Sequence, residues 1–178
     1  MTVIISDDSA GDWGRLLEEA LSRAGTKSRH FAVNTLDIRP CSGCGSCSGK
    51  TYGRCIIPDD MQLLLPHIAA CRTLVLLSPM VFGGVSHHVK RVMDRMSALG
   101  DPRYYLRDGE LVKGMTGPGL RYYMVGIGNT SSAAERSAFL SLHEENRRIM
   151  DVEGRAFILD DVRDPAAMRQ IAGEICCA

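Results

Sequence analysis

The sequence predicts a doubly wound α/β fold, with a five-stranded parallel sheet of order 2-1-3-4-5 and helices on both faces. Three observations carry that expectation. Strand-length apolar runs alternate five times with segments of helical periodicity. The run Thr73–Leu77 is continuously apolar, as a strand covered on both faces of a parallel sheet must be. The glycines, cysteines and hydroxyl residues collect in the segments after strands, where open α/β sheets bind their ligands.

Thr2–Ser6 reads as the first strand. After the loop Asp7–Gly11, residues Trp13, Leu16, Leu17, Ala20, Leu21 and Ala24 recur at i, i+3, i+4 spacing, with Asp12 or Ser9 as N-cap and Gly25 as the stop. Arg29–Val33 alternates weakly as a second strand, and Met61–Cys71 is helical despite Pro66. Thr73–Leu77 is the third strand, and Ser78–Val85 is a loop marked by Gly and Pro. Ser86 caps a helix that turns Val89, Val92, Met93 and Met96 to one side. Gly100–Gly119 is an excursion rich in polar turns. Leu120–Ile127 is the fourth strand, Ala133–Val152 a long helix, Arg155–Leu159 the fifth strand, and Pro165–Cys176 a last helix with proline in its first turn. Five strands in this length suit a flavodoxin-like order better than a six-stranded dinucleotide fold.

At 178 residues and 19.5 kDa the chain is expected to form one domain, 1–178, with a core that needs no staples. Its 21 Lys+Arg balance 21 Asp+Glu, which argues against generalised binding to nucleic acid or to an anionic membrane. No apolar run reaches the roughly 18 residues of a membrane span, and Met1–Ser6 lacks the basic start of a signal peptide, so the cytoplasm is the expected location.

Four of the seven cysteines lie at Cys41, Cys44, Cys47 and Cys55, spaced C-x2-C-x2-C-x7-C among glycines that permit a tight backbone. Four thiolates at this spacing can hold a [4Fe–4S] cluster or a tetrahedral zinc, or cycle through a disulfide, and the closely spaced triplet favours iron–sulfur over zinc. Cys71 is expected in the core and Cys176-Cys177 in an exposed tail. His87-His88 are neighbours on a helix and cannot both face one site. Asp94 and Arg95 are expected to brace the fold or a dimer, and Arg103–Tyr105 and Arg121–Tyr123 to form rim or interface.

The stretch Pro40–Cys47 together with Gly53–Met61 resembles the C-x-G-C-x-x-C…G-x-C-x-x-x-D-D-M signature of iron–sulfur flavoproteins, within the NAD(P)H-dependent FMN reductase family. Ser78–Ser86, followed by Lys90 and Asp94-Arg95, is similar to the loop of that family which lies against the flavin ring. The resemblance covers residues 1 to about 130. It implies a flavodoxin-like fold, an FMN-dependent oxidoreductase with NAD(P)H as a donor, and a [4Fe–4S] cluster on the four cysteines. It also implies a small-molecule or ferredoxin-like partner and a homodimer or homotetramer in which flavin and cluster meet across subunits.

On this basis the flavin contacts are expected from Ser6, Ser9, Gly11, Asp12 and Trp13 after the first strand. Pro79, Met80, Val81, Phe82, Gly83 and Gly84 follow the third strand, and Gly128 and Asn129 the fourth. The flavin itself would carry the chemistry, and no catalytic acid, base or nucleophile is expected. The first loop departs from the family's Gly-Ser-x-Arg start: it has no arginine and places Asp7, Asp8 and Asp12 near the phosphate end. The alternative reading is a metal- or thiol-redox-sensing protein on the same scaffold that has lost its flavin.

Overall fold

The three central strands of the sheet are sealed on both faces, and that requirement sets the architecture. The structure, a computed structural model, describes residues 1–115, 119–160 and 165–177. In chain order β1 is Thr2–Ser6, α1 Trp13–Arg23 and β2 Ser28–Ala32. A short turn of helix, α2 (Ser46–Gly49), and α3 (Met61–Ala70) follow. Then come β3 (Thr73–Val81), β4 (Gly84–Val85), α4 (His87–Arg95), β5 (Tyr105–Arg107) and β6 (Glu110–Val112), and finally β7 (Arg121–Ile127), α5 (Ala133–Met150), β8 (Ala156–Leu159) and α6 (Pro165–Cys177).

The parallel strands lie in the order β2-β1-β3-β7-β8, which is the predicted 2-1-3-4-5 with β7 and β8 as the fourth and fifth. Thr2 pairs with Ser28 on one side and with Thr73 on the other, Thr73 pairs with Arg121, and Met124 with Ala156. Period-two alternation divides the core. Val3, Ile5, Leu74, Leu76 and Met124 face α3, α4 and α5, whereas Ile4, Val75, Leu77, Tyr123 and Val125 face α1 and α6. Burying five or so large side chains on each face, at roughly 1.5–3 kcal/mol apiece, is what holds the layers together.

The structure corrects the sequence expectations at several points. β3 runs four residues beyond Leu77 and turns back through Phe82-Gly83 into β4, so the expected loop is a tight hairpin. Phe82 takes φ +49, a conformation that costs a non-glycine residue, and is 94% exposed. The Gly100–Gly119 excursion contains the hairpin β5–β6, closed by Asp108-Gly109, both at positive φ, and residues 116–118 lie outside the described residues. Tyr122 and Tyr123 are core residues at 1% and 4% exposure, not rim, because β7 is central. Tyr122 stacks on His143 of α5, whose Nε2 contacts the Tyr122 carbonyl at 3.0 Å. Cys71 is buried, donates to the Ile68 carbonyl and has its thiol pushed up to about 11 by burial, while Cys176 packs partly against the α1–α6 core. The Cys177 side chain lies outside the described residues.

Gly154, at the entry to β8, has φ +148, and a Cβ there would lie 1.7 Å from the Tyr122 carbonyl oxygen. Gly154→Ala is therefore expected to cost about 2–4 kcal/mol and to lower the melting temperature by about 5 °C or more, read by circular dichroism. An unchanged melting temperature would contradict this packing of β8 against β7.

Candidate functional site

The strand order reverses between β1 and β3, and the loops after β1, β3, β7 and β8 enclose a cleft of about 820 Å³ at the carboxyl edge. Trp13 and Leu16 of α1 form one side, Pro79 and Met80 of β3 the floor, and Ile127 to Ser131 the opposite wall, with Asp12, Glu135 and Asp160 at the rim. The β7–α5 turn is fixed by the Ser131 hydroxyl donating to the Gly128 carbonyl and by a capping box between Ser132 and Glu135. Gly126 and Gly128 are required beside Met80: a Cβ would come within 2.8 Å of its side chain at the first and 2.9 Å at the second. The two glycines thus let the Met80 side chain lie against the β7 backbone at the cleft.

Of the predicted flavin contacts, Gly11, Asp12, Trp13, Pro79, Met80, Gly128 and Asn129 line this cleft. Ser6, Ser9, Val81, Phe82, Gly83 and Gly84 do not. Ser6 is fully buried and its Oγ lies 2.6 Å from His30 Nε2. Val81 and Phe82 point to solvent because the hairpin after Met80 turns Gly83 against Ala138 and Glu135 of α5. Ile127 and Thr130 line the cleft within the Gly126–Thr130 loop that the sequence offers as its far side, and Ala10, Leu16, Ser131, Glu135 and Asp160 line it without having been expected. The Ser-x-x-Glu pattern at Ser132 was a readable signal for part of that wall.

The first loop organises itself around two carboxylates. Asp12, expected to cap α1, makes no capping bond and pairs with Arg15 instead. The cap comes from Asp8, whose Oδ1 accepts the Gly14 N–H at 3.0 Å, while the Asp8 N–H donates to Asn34 Oδ1 at 2.9 Å. Asp7 Oδ1 accepts the Ser9 N–H at 3.0 Å. Burial works to raise both carboxyls. It is outweighed at Asp8 by hydrogen bonds from His30, Gly14 and Ser6, and at Asp7 by hydrogen bonds from Ser86 and Ser9 and the charge of His88. Both acids therefore stay below the usual carboxylate range.

The cysteine loop forms a second site. Its base is closed where the Asp37 N–H donates to Asp60 Oδ2 and the Arg39 N–H to Asp59 Oδ2. Arg95, at the end of α4, clamps the same point: its guanidinium is bidentate on Asp59 at 2.7 and 3.0 Å and donates to the Arg39 carbonyl, with both charged side chains fully buried. The motif pair of Asp94 and Arg95 therefore divides, with Lys90 on Asp94 and Asp59 on Arg95. Cys41, Cys44, Cys47 and Cys55 line one pocket of about 200 Å³ with Arg95, whose Nε has no hydrogen-bond partner. All four thiols are free, the first two exposed. The donor set suits a thiolate-bound group, yet among the described residues no three His, Cys, Asp or Glu side chains converge as metal ligands. This pocket and the carboxyl-edge cleft share no lining residue. A polar groove of about 390 Å³ between β5–β6 and the end of α5 lies at the opposite edge of the sheet, its arginines paired with neighbouring acids.

Comparison with known proteins decides the affiliation. Residues 8–147 match the family described as NADPH-dependent FMN reductase. The chain belongs to that family. Within it, the chain is similar to an iron-sulfur flavoprotein of Methanocaldococcus jannaschii, 34% identical over 80 residues, which are 45% of this chain and 40% of that protein. It is likewise similar to an iron-sulfur flavoprotein of Archaeoglobus fulgidus, 35% identical over 89 residues, or 50% and 43% of the two chains. The match therefore spans less than half the length of each of these relatives. Among solved structures, the Trp repressor binding protein from Bacillus subtilis shares the fold, with a TM-score of 0.58 at 15% identity over 98% of both chains. Among the described residues no helix is long and apolar enough to cross a membrane.

For a member of this family, the clamp under the cysteine loop is the feature most exposed to test. Asp59→Ala leaves the buried Arg95 charge unanswered, at a cost of about 3–5 kcal/mol in urea unfolding. It is also expected to speed thiol labelling of Cys47 and Cys55 under native conditions, while Cys71 stays protected. Native labelling unchanged at Cys47 and Cys55 would contradict the clamp.

Proposed function

We propose that this chain is a flavin-dependent oxidoreductase, with FMN the flavin its family implies, passing electrons between a nicotinamide or protein donor and an acceptor. One observation carries the reading: the roughly 820 Å³ cleft opens at the switch point of a sheet whose family is defined by FMN reduction. A bound flavin supplies hydride and single-electron chemistry on its own ring. The protein's part is to bind and orient. Pro79 and Met80 offer an apolar floor, the Gly128–Ser131 backbone a polar wall at the ring edge, and Trp13 with Leu16 exclude water from the inner side. No acid, base or nucleophile of the chain is needed for such a transfer, and the cleft's carboxylates act through their charge.

The cysteine pocket is proposed to hold a [4Fe–4S] cluster. The donor set of Cys41, Cys44, Cys47 and Cys55 and the naming of the relatives as iron-sulfur flavoproteins support this. The buried Arg95, which lines the pocket and keeps an unpartnered Nε beside its pairing with Asp59, would offer a further hydrogen-bond donor there. Since the two sites share no lining residue, exchange between them is proposed to run across a homodimer or homotetramer, with a ferredoxin-like or small-molecule partner, in the cytoplasm.

The test is an absorbance spectrum from 300 to 700 nm on protein purified without oxygen, with iron and flavin analysis and NADPH added under argon. The expected result is flavin bands over a broad brown shoulder, about four irons per chain, and bleaching by NADPH or by a reduced ferredoxin. A colourless protein that takes up no flavin after reconstitution would overturn the oxidoreductase reading. Flavin without iron would remove only the cluster.

A further inference from the structure

We propose that Arg95 is a positioning residue for the cluster of the cysteine pocket: its Nε–H donates to the sulfur of Cys55 from the buried side and raises the reduction potential there. The inference rests on the cluster reading above and adds to it the donor, the sulfur and the consequence. Arginine offers five N–H donors in one plane. Here Nη1 donates to Asp59 Oδ2 at 2.7 Å and to the Arg39 carbonyl at 2.9 Å. Nη2 donates to Asp59 Oδ1 at 3.0 Å and to the Ile57 carbonyl at 3.5 Å. The terminal nitrogens are thereby occupied, and the remaining donor, on Nε, has no partner.

The location of that donor points to the thiols. The Arg95 and Asp59 side chains are both 0% exposed. A buried N–H without an acceptor is costly, and Arg95 Nε is one of only two such side-chain atoms among the described residues. Arg95 also lines the pocket of the four cysteines. Burial works against its charge; hydrogen bonding and charge from Asp59 outweigh that, and the Cys55 thiolate adds to them. Cys55 is partly buried and packs with Cys47 against the core, whereas Cys41 and Cys44 are exposed. The Cys55 carbonyl accepts from Gln62 Nε2 at 2.7 Å, so α3 fixes the backbone that carries the sulfur while Asp59 fixes the guanidinium.

Arg95 acts here through direction and not through net charge. Asp59 already balances that charge, so what is left for the pocket is one N–H on a fixed fork. A hydrogen bond shielded from water is stronger than an exposed one. One electron added to a thiolate-held cluster makes its sulfurs more negative and better acceptors. A donor on Cys55 therefore favours the reduced state, as hydrogen bonds to sulfur do in such centres. The electron comes from the nicotinamide or protein donor, and no bond of the chain is made or broken. Lysine could answer Asp59, but its donors all sit on one terminal nitrogen.

The experiment is a redox titration followed by EPR on protein purified without oxygen, comparing wild type with Arg95→Lys and Asp59→Asn, with iron measured on each. Arg95→Lys is expected to keep its iron and to lower the midpoint potential by about 59 mV, a tenfold weaker hold on one electron. Asp59→Asn loosens the same clamp but keeps the Nε–H and frees the arginine charge, so its potential is expected at or above that of wild type. A merely structural clamp would move both variants the same way. Wild-type protein gives a second readout: pulsed EPR of the reduced state, with arginine isotopically labelled in its guanidinium nitrogens, is expected to show a labelled nitrogen coupled to the cluster, lost in Arg95→Lys. An Arg95→Lys potential equal to that of wild type, both variants shifted down together, or no nitrogen coupling would overturn the inference and leave the cluster reading intact. Protein that takes up no iron after anaerobic reconstitution would overturn both.

Discussion

The burial of β1, β3 and β7 on both faces is the constraint on which the rest depends. Their side chains alternate between two apolar layers, so the helices must lie above and below the sheet and each connection must cross over it. Parallel strands joined by crossovers bring their following loops to a single edge. The site is therefore a consequence of packing: the loops after β1, β3, β7 and β8 meet there because the core leaves them nowhere else to go.

What the loops contain is less constrained, and here the two sites differ. The cleft is an apolar floor with an acidic rim, and in its first loop the Ser9 and Gly14 N–H groups donate to Asp7 and Asp8. The loop thereby gains internal order and a capped helix. The cysteine loop instead draws its order from one buried ion pair, Arg95 with Asp59, which closes its base while leaving Cys41 and Cys44 exposed at its tip. A buried pair of this kind is weak support for stability but a strong determinant of geometry, since either charge alone in that position is costly.

The strand order and the two core faces were legible in the sequence, because continuous apolar runs and 3.6-residue periodicity report burial directly. The β5–β6 hairpin carries a turn signal at Asp108-Gly109, but its strands are three residues each and bury only Val112, too little for an apolar alternation to show. Cap assignment failed at α1, where tertiary geometry let Asp8 reach Gly14 from six residues away and left Asp12 to Arg15. The partner of Arg95 was not legible either: Asp94 is adjacent in sequence, but Asp59 is adjacent in space. Val81 and Phe82 belong to the segment that resembles the family's flavin loop, and the turn at Gly83 leaves both exposed and outside the cleft lining.

The most direct measurement is hydrogen–deuterium exchange of backbone amides with and without saturating flavin. Protection confined to the segments around residues 10–16, 79–80 and 127–131 is the result expected if the carboxyl-edge cleft is the flavin site. Protection at the β5–β6 groove, or none at all on saturation, would contradict it.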